Sequence, residues 1–417
     1  MKVAIVVQRY GETVVGGAEF LARLLASRLT RDLDWEVEVY SSTARDYSDW
    51  RPFFAPGYEK IDSVLVHRFH VSQIRNILIF KIYNGLFAPI FEFLGRRRRS
   101  SRPGFLERLW YRLQGPYCPE LINSLQRNQN GYDAVILVSY LYYPTVWGAA
   151  SFRGKKILVP TLHDEAPAYF RTTRALMKMV DHIAVNSEEE LALLRRLYPL
   201  EAQKAQIVAI GMDPADYETS QEIPVSDLPD VYALYLGRIS TGKQVDKLLR
   251  YFEAFKRDQV DNDIHLVIAG RLDPGMRIPD APFFHYAGFV SEPEKNYLIR
   301  RSVCVINSSP LESLSLITLE ALAMGVPILV NELSETLRYY MKWAPTVFGY
   351  KNEATFIQRL HEITSVDWKQ DPLRVAQLGQ SKAWVFDAFS WSRVTGFFKR
   401  FVQDKETSDA ASNSHPR

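Results

Sequence analysis

The stretch from Val303 to Val330, VCVINSSPLESLSLITLEALAMGVPILV, constrains the fold more than any other part of this chain. Val303–Ile306 is a short apolar run of strand type, broken by Asn307-Ser308-Ser309-Pro310. A loop carrying Glu312 follows. Leu316–Met324 consists of strong helix formers, closed by Gly325 with Pro327 just beyond. Pro327–Val330 then opens another apolar strand. Strand, loop, helix and strand in so short a span make the βαβ unit of a parallel sheet. Within the helix only Thr318 and Glu320 are polar. Glu320 lies one turn beyond Leu316 and shares its face, so its carboxylate is either paired or left at a rim of the buried surface. Open α/β sheets bind ligands at strand carboxyl ends and helix N-termini. Glu312 and Glu320 converge on such a crevice.

The same alternation runs through the whole chain. Val3–Val7 reads as a buried first strand, followed by a loop and a helix over Ala18–Leu29. Gly16-Gly17 at the start of that helix lets backbone approach a ligand, and the helix N-terminus favours anions. The G-x-G-x-x-G dinucleotide fingerprint is absent. Val37–Tyr40, Val64–Phe69, Asp133–Ser139 and Lys156–Thr161 read as further strands, the last running into Leu162-His163-Asp164-Glu165. His163 at a strand end is placed either for a site or as a hydrogen-bonded structural histidine. Asp181–Ser187 is another strand, ending in Ser187 with Glu190 three residues on, a capping-box arrangement that starts the helix Glu188–Leu197. Asp213–Asp230, with Pro214, Pro224 and Pro229, reads as a linker. Beyond it Val231–Leu236 is a strand and Val245–Lys256 a helix. Between them Gly237-Arg238-Ile239-Ser240-Thr241-Gly242-Lys243 sets two cations near the turn, where arginine suits bidentate contact with a diphosphate and lysine a point charge; a basic turn exposed to water is the alternative. Ile264–Ala269 and Tyr286–Val290 are strands, Glu292–Arg301 a helix, and Phe389-Ser390-Trp391 starts a last helix to about Phe401.

At 417 residues the chain is long enough for two domains. The expected division is an N-terminal Rossmann-like domain over 1–215 with 388–405 crossing back onto it, a second over 230–387, and a disordered tail over 406–417. A net charge of +3 gives no argument for a nucleic-acid partner. Two cysteines, Cys118 and Cys304, form neither a disulfide framework nor a metal pattern, which favours a reducing compartment. Asp261-Asn262-Asp263 is a formal D-x-D but precedes its strand, and His361-Glu362 lacks the second histidine of a zinc helix, so no metal and no cofactor is expected. Lys2 is followed by too few apolar residues before Gln8-Arg9 for a signal-peptide core. Ile77–Leu94 is dense in apolar and aromatic residues and runs into Arg96-Arg97-Arg98-Arg99. Lys81, Asn84, Pro89 and Glu92 make it a poor membrane span. Residues 77–99 read either as a peripheral membrane contact or as a helical hairpin packed on its own domain.

Taken in order, Gly16-Gly17-Ala18-Glu19, His163-Asp164, Gly237-Arg238 with Lys243, and Glu312-x7-Glu320 resemble the motif set of family-4 retaining glycosyltransferases with the GT-B fold. The resemblance spans Gly16 to Trp391 and is weakest over Asp46–Gln114. It departs from the family at Ile210 (Asn in the "pNGvD" segment), at Gln244 (Gly after the lysine), and at Ser313 and Ser315, where Glu-Gly-Phe-Gly has glycines. The fold it implies is two doubly wound Rossmann-like domains facing across a cleft, with the C-terminal helix crossing back.

By resemblance, the co-substrate is a nucleotide-diphosphate sugar and the acceptor a glycan or lipid-linked saccharide. The catalytic group is then Glu312, Arg238, Lys243 and His163. Glu312 would touch the sugar hydroxyls, His163 would line the cleft near the donor sugar and phosphate, and Arg238 and Lys243 would meet the diphosphate. Donor binding falls to Gly16, Gly17, Glu320 at the ribose hydroxyls, and Ser313, Leu314, Ser315 and Leu316. The serines are expected to crowd the sugar pocket. Retention would follow from same-face attack assisted by the leaving phosphate. A nucleotide-sugar 2-epimerase of the same fold and a non-catalytic nucleotide-sugar-binding protein at the membrane are the competing readings. The expected location is cytoplasmic, either free or peripheral on the inner face of the membrane.

Overall fold

Runs such as Ala134–Val138 (AVILV) are apolar at every position because strands of a parallel sheet are covered by helices on both faces. The computed structural model describes residues 1–14, 16–97, 104–208, 210–218, 222–258 and 263–403. Arg98 and Arg99 of the basic run, Asp261 and Asn262 of the D-x-D, and the tail 406–417 lie outside them.

The described chain divides into two units, Met1–Ile210 with the chain from Trp391 onward, and Gly211–Ser390. The first contains β1 (Lys2–Val6), α1 (Gly17–Leu33), β2 (Glu36–Ser42), β3 (Gly57–Ile61), β4 (Val64–Phe69), α2 (Ile77–Arg96), α3 (Phe105–Gln114) and α4 (Pro119–Asn128). It continues with β5 (Ala134–Val138), α5 (Tyr143–Ser151), β6 (Lys155–Val159), α6 (Arg171–Met179), β7 (His182–Val185), α7 (Glu188–Leu197) and β8 (Ala205–Ile207). These strands form an eight-stranded sheet in the order β3-β4-β2-β1-β5-β6-β7-β8. All pairings are parallel except that of β3 with β4. The sequence reading missed β3, whose GYEKI is largely solvent-facing and carries no apolar run.

The second unit holds α8 (Pro214–Glu218), β9 (Tyr232–Leu236), α9 (Val245–Asp258), β10 (His265–Ala269), β11 (Phe284–Gly288), α10 (Glu292–Arg301) and β12 (Cys304–Asn307). It closes with α11 (Leu316–Ala323), β13 (Ile328–Asn331), α12 (Glu335–Met341), β14 (Val347–Tyr350), α13 (Glu353–Thr364) and α14 (Pro372–Ala388). Its six strands are all parallel, in the order β11-β10-β9-β12-β13-β14. Two doubly wound sheets of this kind bear out the expected fold class. α15 (Trp391–Gln403) packs in the first unit: the Arg28 guanidinium lies 4.9 Å from the Trp391 ring, and Lys155 Nζ donates to the carbonyls of Phe401 and Val402 at 3.1 and 3.2 Å.

The division falls earlier than the proline pattern suggests. Asp213–Asp230 is not a bare linker, because Pro214 sits at the start of α8, α8 packs on α11, Met212 N–H donates to the Phe389 carbonyl, and Glu222 pairs with Arg300 at 2.8 Å. Those contacts tie the segment to the second unit. The strand placed at Tyr286–Val290 begins instead at Phe284, paired in register with Leu266.

Candidate functional site

In the second unit the strand order reverses between β9 and β12, since β9 is flanked by β10 on one side and β12 on the other. Ligand crevices open outside the carboxyl ends of strands at such a switch point. The two loops that leave those ends carry Arg238 and Lys243 after β9, and Ser308–Ser315 after β12. Lys243 Nζ stands 2.8 Å from Glu312 Oε1 and 3.2 Å from Ser309 Oγ. Its side chain keeps 38% of its surface exposed, against 15% for Glu312, so the ammonium still faces solvent. Ser308 Oγ donates to the Lys243 carbonyl at 2.7 Å, and Asn331 Nδ2 donates to the Ser308 carbonyl at 3.0 Å. The Arg238 side chain is exposed, while its carbonyl accepts from Tyr235 Oη at 2.8 Å. Gly237 is at φ 150 and packs so closely that a Cβ on Gly270 would lie 1.9 Å from the Gly237 carbonyl oxygen. Only glycine fits there.

Two of the three departures from the family's glycines fall at left-handed backbone. Gln244 is at φ 53 and Ser315 at φ 57, conformations that ordinary residues adopt at a cost. Ser315 Oγ bonds to Asn307 Nδ2 and Thr318 Oγ1, each at 2.7 Å. It is therefore turned into the protein and does not crowd the sugar pocket, contrary to expectation. Ser313 and Leu316 are partly exposed; Leu314 is buried, and its carbonyl accepts from Tyr340 Oη at 2.5 Å. Thr336 Oγ1 holds the Glu312 carbonyl at 2.7 Å.

Glu320 proves to be paired. Lys295 Nζ lies 2.7 Å from Glu320 Oε1 and 2.7 Å from Glu292 Oε2. Burial pushes the Lys295 ammonium down, but the two carboxylates more than reverse this, so its pKa ends raised. Burial raises the Glu320 carboxyl, with Lys295 opposing. Sequence reasoning missed Lys295, although it shares a helix face with buried Leu298 and Ile299. The same test that singled out Glu320 would have found it.

In the first unit the strand order reverses between β1 and β5. Gly16 caps α1, and among the described residues no side-chain cap hydrogen bond reaches the helix's first N–H groups. These groups are orphans that an anion could satisfy. A Cβ on Gly16 would lie 2.1 Å from Glu19 Oε2, whereas one on Gly17 would meet nothing within 4 Å. Glu19 is buried and accepts from Gln8 Nε2 at 2.7 Å and Arg9 Nε at 2.9 Å. The glutamate of Gly-Gly-Ala-Glu thus shapes the loop from within.

His163 is half-buried in the turn after β6. The turn is strained: Thr161, a β-branched residue, is at φ 52. Glu190 clamps it, accepting from Leu162 N–H and Asn186 N–H at 2.6 Å each. Ser187 accepts from Glu190 N–H as expected, but Glu190 does not return a bond to the Ser187 N–H. Its carboxylate turns inward to the neighbouring strand end, so the capping box is half-formed. Burial, opposed by these two N–H groups, raises its pKa to about 7. Among the described residues, no group of three or more His, Cys, Asp or Glu could hold a metal ion.

The family model described as "Glycosyltransferase Family 4" matches residues 15–216, and that described as "Glycosyl transferases group 1" matches residues 216–346. No curated protein matches. Similar solved structures include a sucrose-phosphate synthase from Thermosynechococcus elongatus (15% identity, TM-score 0.65, covering 96% of this chain and 97% of that one). The Anabaena HepE protein in complex with UDP and glucose follows at 13% identity and TM-score 0.64, covering 96% and 98%. A lipopolysaccharide outer core galactosyltransferase, WaaB, stands at 13% and 0.59, covering 96% and 99%. At such identities the structures speak for the fold alone. Together with the two abutting family matches and the motifs set on these strand ends, they identify the chain as a member of the family-4 glycosyltransferases of the GT-B fold.

Proposed function

We propose that the protein is a retaining glycosyltransferase that moves a hexosyl or deoxyhexosyl unit from a nucleotide-diphosphate sugar to a glycan or lipid-linked acceptor, in surface polysaccharide or glycolipid assembly. The observation that carries this is Lys243 Nζ, half-open to solvent at the switch point of the second sheet and aimed by Glu312 and Ser309. Departure of a nucleoside diphosphate builds negative charge, and preorganised donors usually carry most of such a barrier. Lys243 and the exposed Arg238 supply that charge from side chains, so the reading needs no metal. The loop of the partly exposed Ser313 and Leu316 would offer N–H groups to the sugar, and Glu320, fixed by Lys295, serves the ribose hydroxyls. In the first unit the uncapped α1 start at Gly16-Gly17 and the His163 turn serve the substrates. HepE with UDP and the galactosyltransferase WaaB support a nucleotide-sugar donor and a lipid-linked saccharide acceptor. A cytoplasmic location fits Cys118 and Cys304, both buried and unpaired.

The epimerase reading asks for free acid/base groups beside His163. Its neighbours are engaged: Asp164 pairs with Arg196 at 2.5 Å and accepts from Tyr169 Oη at 2.6 Å, and Glu165 accepts from Tyr140 Oη at 2.8 Å. The test is release of free nucleotide from a panel of nucleotide sugars, with and without glycan and lipid-linked acceptors. Acceptor-dependent release that Lys243→Ala and Glu320→Ala each abolish, in folded protein, supports transfer. Full turnover in either variant, or sugar isomerisation without transfer, refutes it.

A further inference from the structure

We propose that α2 and the start of α3 form a docking face for an anionic lipid bilayer, on which the first unit lies without spanning it. By length and composition α2 could cross a membrane, and little of it is buried in the unit. Its inner face, however, is fixed to the unit. A Cβ on Gly95 would lie 1.7 Å from the Tyr169 carbonyl oxygen, Phe91 meets Phe170 edge-on at 5.3 Å, and Asn84 accepts from Trp110 Nε1 at 2.9 Å. A transmembrane placement would break all three.

Among the described residues, nothing packs on the opposite face. Leu78, Ile82, Leu86 and Ile90 succeed one another at single-turn steps, and all are exposed, Leu78 at 67% and Leu86 at 61%. Tyr83 Oη donates to the Leu106 carbonyl at 3.0 Å, which brings the exposed Phe105 and Leu106 of α3 alongside. A helix apolar on both faces wants burial on both. The strip is aliphatic and runs about 18 Å from Leu78 to Ile90 at the rise of a helix. It lacks the polar groups of a protein-binding site but suits insertion at the headgroup–acyl boundary.

The charges agree. Lys81, Arg96, Arg97, Arg108 and Arg112 are exposed on the two helices. Of the two acids there, Glu92 pairs with Arg96 at 2.7 Å, and Glu107 is buried, accepting from Thr172 N–H and Oγ1. The outward charge is positive, which favours an anionic leaflet. This face needs no donor chemistry, so it stands or falls independently of the transferase reading.

The test is co-sedimentation of the full chain with vesicles of phosphatidylcholine alone and of phosphatidylcholine with phosphatidylglycerol. The expected result is binding to the anionic vesicles that weakens as salt rises. Ile82→Glu/Leu86→Glu/Ile90→Glu should lower it by roughly tenfold or more, with circular dichroism and nucleotide binding in solution unchanged. A milder Leu86→Ser/Ile90→Ser pair covers the case of a triple variant that misfolds. Arg97→Glu/Arg108→Glu should weaken binding to anionic vesicles specifically. The proposal is overturned if the chain stays in the supernatant with both vesicle types, or if the stripe variants bind as well as the parent. Light scattering that shows a dimer, lost in the stripe variant whatever the lipid, would equally overturn it by assigning the face to a second copy.

Discussion

Lys295→Met isolates the buried ion pair that fixes Glu320, the side chain proposed above to serve the ribose hydroxyls. Lys295 and Glu320 approach to 2.7 Å, with side chains only 10% and 8% exposed. At an effective dielectric of about 20 a pair at that distance attracts by about 6 kcal/mol. Removing both ions from water costs several kcal/mol each, so the net worth of the pair is small. Deleting one partner is different: Lys295→Met strands the Glu320 carboxylate and should destabilise the second unit by about 3–5 kcal/mol. Glu292 cannot substitute, being itself an acid. The double variant Lys295→Met/Glu320→Leu removes both charges at similar volume and should return to within about 1 kcal/mol of the parent. Hydrogen exchange at the amides of α10 and α11, followed against urea, reports on this unit by itself. Stability and function should then part company. The double variant, though stable, should bind nucleotide at least about tenfold more weakly, a loss of about 1.4 kcal/mol, because the ribose contact has gone. A single variant as stable as the parent would refute the electrostatic argument. A double variant that keeps full affinity would refute the ribose role and leave Glu320 as a structural acid.

Other outcomes follow from the same geometry. Glu190 in the folded chain titrates at about 7, above its ordinary 4.5, so the native state holds the proton more tightly than the unfolded one. Its stabilising effect is complete below about pH 4.5 and is lost as pH rises to about 7, roughly 3 kcal/mol in all; Glu190→Gln should flatten that slope in urea melts at a series of pH values. Gln244→Gly should relieve a left-handed strain of about 1 kcal/mol, partly offset by loss of the 3.3 Å contact with Asn331, and a melting temperature well below the parent's would contradict this. Gly16→Ala should displace Glu19 from Arg9, because the added Cβ overlaps its carboxylate; the measurable result is loss of turnover out of proportion to the fall in stability, whereas Gly17→Ala, with open space around it, should keep its stability.

What the sequence disclosed was local. Most strands of both units (not β3, β8 or β14), the helix Glu188–Leu197 and the E-x7-E loop could be read because apolar period, caps and glycine stops are written in neighbouring residues. What it concealed was long-range. Lys295 reaches Glu320 from another helix, Ser309 and Glu312 reach Lys243 from another strand end, and α8 joins the second unit through side chains that no proline pattern records. The apolar density of Ile77–Leu94 was plain, but which half of its circumference was covered depended on Tyr169 and Phe170, far along the chain.

The departures from the family pattern were legible as substitutions, but their meaning was not. Glycine costs nothing in the left-handed region, so replacing it forces a choice: the loop changes path, or the new side chain offsets the strain. Here the path is kept. Gln244 remains at φ 53 with Oε1 accepting from Asn331 Nδ2 at 3.3 Å, and Ser315 remains at φ 57 with its hydroxyl between Asn307 and Thr318. Asn331 also holds the Ser308 carbonyl. Gln244 therefore ties the loop after β9 to the end of β13, and Ser315 ties the loop after β12 to the end of its own strand. A loop held this way has less entropy left to lose than a glycine loop would, so at the proposed donor site the serine and glutamine are a route to preorganisation.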